Sequence, residues 1–122
     1  EQSIRLGDTT TFADLDLEFH RVIWASTDNS LAIRIGELIG GQIRLLVATT
    51  ARAPGRFRGA FEEHRQVYRA IENKNPAAAV AAMRKHIRTA KLALRRAVSE
   101  RSGNAEQVSV RHANNNQRRG AK

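Results

Sequence analysis

The chain has no cysteine. Disulfides, thiolate metal sites and cysteine nucleophiles are therefore excluded, which fits the cytoplasm. Aromatics are scarce: Phe12, Phe19, Trp24, Phe57, Phe61 and Tyr68 are all there are. Aliphatic and alanine side chains must then supply most of the core. No apolar run approaches the ~18 residues that a membrane span needs. No stretch alternates with the period of two that marks a strand. The start, Glu1-Gln2-Ser3-Ile4-Arg5, has neither an initiator methionine nor the character of a signal peptide. It reads as the middle of a longer chain.

Acidic residues are also in short supply, 12 against 21 basic ones, and the net charge is +9. Such a balance favours nucleic acid, anionic membranes or acidic ligands. Part of the excess lies near the end, where Arg101, Arg111, Arg118, Arg119 and Lys122 face one acid, Glu106. A solvated tail accounts for that part equally well.

The 122 residues suffice for one compact domain, and a hydrophobic content of 41% supports a core. Residues 1–10 read as a loop. Thr11 is the expected N-cap of a first helix, with Asp14 three residues on as a capping-box variant. Phe12, Leu15, Phe19, Ile23 and Trp24 follow at helical spacing. The turn cluster Thr27-Asp28-Asn29-Ser30 separates this helix from a second one starting near Ser30. The stripe of the second helix is Leu31, Ile35, Leu38, Ile39, Leu45 and Leu46, interrupted by Gly40-Gly41, which suits a bend or a close helix contact. Ala53-Pro54-Gly55 ends it.

A third helix is expected over residues 59–73, with Phe61, His64, Val67, Tyr68 and Ile71 inward. Asn75 can cap a fourth helix and Pro76 suits its first position. Its inward residues are Val80, Met83, Ile87, Ala90, Leu94 and Val98, with Gly103 at its end. Residues 104–122 lose hydrophobic period and read as a disordered basic tail. The expectation is an all-α antiparallel helical bundle over residues 1–103.

Three histidines fall on the apolar faces of different helices: His20, His64 and His86. Asp16 precedes His20 by four positions, one turn away on the same face. A single histidine on such a face is usually a hydrogen-bonded core residue. Asp16 and His20 alone are explained by a helix ion pair worth ~0.3–0.5 kcal/mol. Four such groups on helices that share one core point to a common metal site. Imidazole with carboxylate suits zinc first, with nickel, manganese or iron as the other choices. His112 lies in the polar tail and is left out.

The run Asp16-Leu17-Glu18-Phe19-His20, continuing through Ile23, Ala25-Ser26 and Asn29, resembles the signature helix of the FadR-type C-terminal domain (FCD) of GntR-family transcription regulators. Glu63-His64-Arg65 with Ala70-Ile71 resembles its second motif, and Ala78 through Met83 with His86-Ile87 its third. The likeness covers about residues 11–98, in order and spacing. It implies a helical bundle that binds a small organic acid, dimerises and holds a metal ion through Asp16, His20, His64 and His86. The family's winged helix-turn-helix is absent, as is most of the helical segment before the Asp-bearing helix. DNA binding would then belong to a domain outside this sequence. The bundle would be incomplete at its amino-terminal side, with apolar surface for a partner chain to cover.

Gln42 and Arg44 are candidates for the effector's carboxylate, against a local hydrogen bond for Gln42 and a solvated Arg44. Arg84, Arg88, Lys91 and Arg95 form a basic stripe that reads as a solvated face. Glu63 is placed either to orient a ligand histidine or as surface charge. The functional expectation is a non-enzymatic sensor domain. The alternative is a metal-dependent hydrolase with Glu18 or Glu63 as base, although no His-Glu-x-x-His motif is present. A third reading, a basic nucleic-acid-binding protein, lacks aromatic platforms and a recognition helix.

Overall fold

The computed structural model describes residues 8–51 and 53–119, with residues 104–119 as backbone only. Four helices follow in order: α1 (Thr9–Ala25), α2 (Ser30–Thr50), α3 (Arg56–Glu72) and α4 (Pro76–Arg119). No strand occurs among the described residues. Short connections fold α1 against α2 and α3 against α4, and α2 also touches α4. The all-α bundle expected from the sequence is the observed class.

The caps explain where the helices begin. Asp8, not Thr11, caps α1: its carboxylate accepts from the backbone N–H of Thr10 at 3.0 Å and of Thr11 at 3.1 Å. The helix therefore starts ahead of the expected point. Asp14 takes no part in a capping box and pairs instead with Arg44 across α1 and α2. Asn29 caps α2 by accepting from Leu31 and Ala32. Gly55 precedes α3 with φ 74°, a left-handed conformation that glycine adopts without a steric penalty. Its conformation lets α3 begin at Arg56, one turn earlier than expected. Asn75 accepts from Ala78 N–H at 3.0 Å and Pro76 opens α4, both as expected.

The end of α4 differs from the expectation. Its backbone continues through Gly103 to Arg119. A glycine inside a helix costs only ~1 kcal/mol relative to alanine, and Ala105-Glu106-Gln107 are good helix formers. Residues 1–7 and 120–122 lie outside the described residues.

Small side chains build the core. Phe12, Ala13, Val47 and Ala60 form one buried cluster, with Phe57 stacked on Phe12 at 4.3 Å between ring centroids. Leu17, Val67, Ala70 and Ala90 are buried as well. Several expected core residues face outward: Leu15, Tyr68, Ile71, Val80, Ile87 and Val98 are each about half exposed.

The largest discrepancy is on α2. Leu31, Ile35, Leu38 and Leu45 are exposed, whereas Gly36, Gly40, Val47 and Thr50 are buried. The helix turns its glycines, not its leucines, toward α1. A Cβ at Gly36 would lie 2.2 Å from the Trp24 ring, and one at Gly40 would lie 3.4 Å from Leu17. The glycines thus allow Trp24 and Leu17 to sit against the α2 backbone. Of the Gly40-Gly41 pair, only Gly40 makes a close contact, because a Cβ at Gly41 would meet nothing within 4 Å.

This asymmetry is testable. Gly36→Ala should destabilise the chain by about 1–3 kcal/mol through overpacking against Trp24. Gly41→Ala should be neutral or stabilising by up to about 1 kcal/mol, the gain in helix propensity. Urea denaturation of the two variants checks both, and equal effects would contradict the packing described.

Candidate metal centre

Three helices converge on one point. Asp16 and His20 come from successive turns of α1, His64 from the middle of α3 and His86 from α4. Asp16, His20 and His86 are buried, and the His64 side chain is nearly so, at 12% exposure. Donor atoms of the three histidines lie within 4.8 Å of one another. His64 Nε2 is 3.3 Å from His86 Nε2 and 3.4 Å from Asp16 Oδ1. His20 Nε2 is 3.7 Å from Asp16 Oδ2. Two ligand atoms ~2.1 Å from a shared tetrahedral ion stand about 3.4 Å apart, so these spacings suit one ion.

Packing holds the rings in place. Phe19 stacks on His64 with centroids 4.1 Å apart and planes 16° apart. Trp24 lies beside the His20 ring at 6.1 Å. His86 Nδ1 is 2.8 Å from Glu63 Oε2, and Glu63 is in turn paired with Arg56 at 3.4 Å. A proton on Nδ1 donates to Glu63 and leaves the Nε2 lone pair facing the cluster, which is the tautomer that a metal requires. Of the two readings of Glu63, this contact favours the orienting one.

The electrostatics point the same way. Burial lowers His20 to about 4 and His64 to about 3, with neighbouring imidazoles adding to the effect. Burial also lowers His86, although Glu63 opposes it. All three are therefore neutral at neutral pH and can donate lone pairs. Burial pushes Asp16 up to about 6, with Arg56 opposing and Glu63 reinforcing the shift. Asp16 is still ionised at pH 7, yet its Oδ2 has no hydrogen-bond partner among the described residues. A buried anionic oxygen without a donor is costly, and a cation bound among three neutral imidazoles would satisfy it. The residues present thus fit a metal ion.

A cavity of about 430 Å³ adjoins the cluster, lined by Asp16, His20 and His86 together with Arg56, Trp24 and Met83 among others. Sequence reasoning missed Arg56. Its signal was its position, at the first turn of a helix placed one turn too late. Gln42 and Arg44, the expected effector contacts, are not brought to the cavity. Both are exposed: Arg44 pairs with Asp14, and the Gln42 amide lies 3.1 Å from the carbonyls of Leu38 and Ile39. The register of α2 that buries Gly36 and Gly40 turns these two outward. Glu18 is exposed and does not line the cavity, and Glu63 is engaged by His86 and Arg56.

A family model for the FCD domain matches residues 1–89. The chain belongs to the FCD domain family. No curated protein and no solved structure matches it. FCD domains are the effector-binding regulatory domains of GntR-family transcription regulators, which are generally not enzymes. Among the described residues of this FCD domain, no helix is long and apolar enough to cross a membrane.

Two outcomes test the cluster. Glu63→Ala should weaken metal binding by about 10–100-fold, the usual effect of removing a group that orients a ligand histidine. Competition with a chromophoric chelator measures it, and an unchanged affinity would mean that the Glu63 contact does not orient His86 as a ligand.

The second outcome concerns pH in the metal-free chain. Unfolded histidines titrate near 6.5, but folded His20 and His64 titrate near 4 and 3. Between these values the unfolded chain binds more protons, so acid destabilises the fold. Asp16 works in the opposite sense between about 6 and its ordinary 3.8, because the folded form holds that proton more tightly. The histidines outnumber it. Urea midpoints should therefore fall from pH 6.5 toward pH 4, and a flat profile would contradict this burial.

Proposed function

We propose that this FCD domain is a metal-dependent sensor of small organic acids in a GntR-type regulator. Asp16, His20, His64 and His86 hold a divalent ion, zinc first by donor chemistry, with nickel, manganese or iron as alternatives. The observation that carries this reading is the partnerless Asp16 Oδ2 among three neutral imidazoles beside a cavity. Four protein ligands close a tetrahedral sphere, so the effector's carboxylate requires the ion to expand its coordination; at six-coordination two positions are open for it. Arg56, at the same end of the cavity, adds positive charge for that carboxylate.

The regulator works in the cytoplasm as a homodimer and contacts DNA through a separate winged-helix domain. Effector binding favours one packing of the bundle and so shifts the attached reading heads between two states. The exposed leucines Leu31, Leu38 and Leu45, spaced by seven along α2, support a partner-covered face.

His64→Ala removes one ligand. It should lower the thermal midpoint measured with zinc but change little under chelator, since metal that binds only the folded state stabilises by mass action. An equal loss in both conditions would reduce His64 to a packed core residue. Turnover of any organic acid by the metal-loaded chain would replace the sensor reading with an enzymatic one.

A further inference from the structure

Among the described residues, the polar groups lining the cavity beside the cluster gather mainly at one end. Asp16, His20, His86 and Arg56 gather there, tied together through Glu63. The rest of the lining is mostly apolar and includes Trp24, Ile39, Ile43, Leu46, Met83 and Ile87. Beyond the polar end the lining carries few hydrogen-bonding side chains. The Thr50 hydroxyl already donates to the carbonyls of Leu46 at 3.0 Å and Val47 at 3.3 Å. Lys91 is an exposed residue of the lining, and Trp24 offers one indole N–H. A polyhydroxylated acid placed here would lose water from its hydroxyls and regain little, which is unfavourable for each unpaired group. A hydrocarbon body loses only unfavourable contact with water.

We infer that the effector is a carboxylate with an apolar body, aliphatic or aromatic, rather than a hydroxylated sugar acid. The acid head sits at the Asp16–His86 end and the hydrocarbon lies along the wall formed by Trp24, Ile39 and Met83. This rests on the sensor reading and narrows the ligand of the same site.

Titration calorimetry on the zinc-loaded chain with acetate, hexanoate, phenylacetate and gluconate tests it. Gluconate is the hydroxylated counterpart of hexanoate, with the same number of carbons. Affinity should rise from acetate to hexanoate by about fourfold per buried methylene, the equivalent of ~0.8 kcal/mol. Gluconate should bind about tenfold or more weakly than hexanoate. Ile39→Asn alters the apolar wall at a residue 44% exposed, so the fold should tolerate it. It should weaken hexanoate several-fold and leave zinc and acetate binding unchanged. Gluconate binding as tightly as hexanoate, or an Ile39→Asn variant with undiminished hexanoate affinity, would overturn the inference and leave the sensor reading standing. If none of the four acids binds, acetate included, both fall.

Discussion

The carboxylate of Asp16 sets the terms for everything around it. It is 4% exposed, ionised at neutral pH, and one of its oxygens meets no donor among the described residues. A fold tolerates such a group only when something nearby offsets the lost hydration. Arg56 offsets part of it through space, but its guanidinium is committed to Glu63. The imidazoles cannot offset it as cations, because their own burial keeps them neutral. What remains is the close approach of the ring nitrogens: His64 Nε2 lies 3.4 Å from Asp16 Oδ1 and 3.3 Å from His86 Nε2. A neutral imidazole has only one N–H, so hydrogen bonds satisfy only part of this cluster.

Much of the architecture was legible in the residues. Helical periodicity located all four helices, and Asn75-Pro76 marked the start of α4 because cap chemistry is local. The faces were harder. α2 is apolar on more than one side, so hydrophobic period alone favoured its leucines. The side that packs on α1 is chosen by absence: Gly36 and Gly40 have no side chain, and Trp24 and Leu17 fill the space. Scales that weigh side chains give little weight to a helix face made of backbone. The same limit affected Gly55, whose left-handed φ moved the start of α3 and brought Arg56 into the site.

The histidine cluster was more legible than the cavity. Histidine on an apolar face is rare enough to stand out, and the spacing of Asp16 and His20 binds them to one turn. His64 and His86 could be joined to that pair because each bordered an apolar seam, a clue available from the sequence. The cavity wall carried no comparable signal. Its residues are ordinary apolar side chains, and whether an isoleucine lines a ligand space or a packed core depends on helix register. Gln42 and Arg44 lie outside this cavity for that reason: their chemistry suits a carboxylate, but the register of α2 turns them outward.

The two hairpins of this fold pack more extensively within themselves than against each other. The four inward-facing groups are divided evenly across that seam: Asp16 and His20 belong to the α1–α2 hairpin, His64 and His86 to the α3–α4 hairpin. An ion held by all four would therefore act as a clasp. It would join the two hairpins from the interior, where solvent screening is weak. The angle between them would then depend on a few short bonds as well as on the surface they share. A molecule entering such a coordination sphere would act at a hinge pin, and a small displacement there would be carried along the helices on either side.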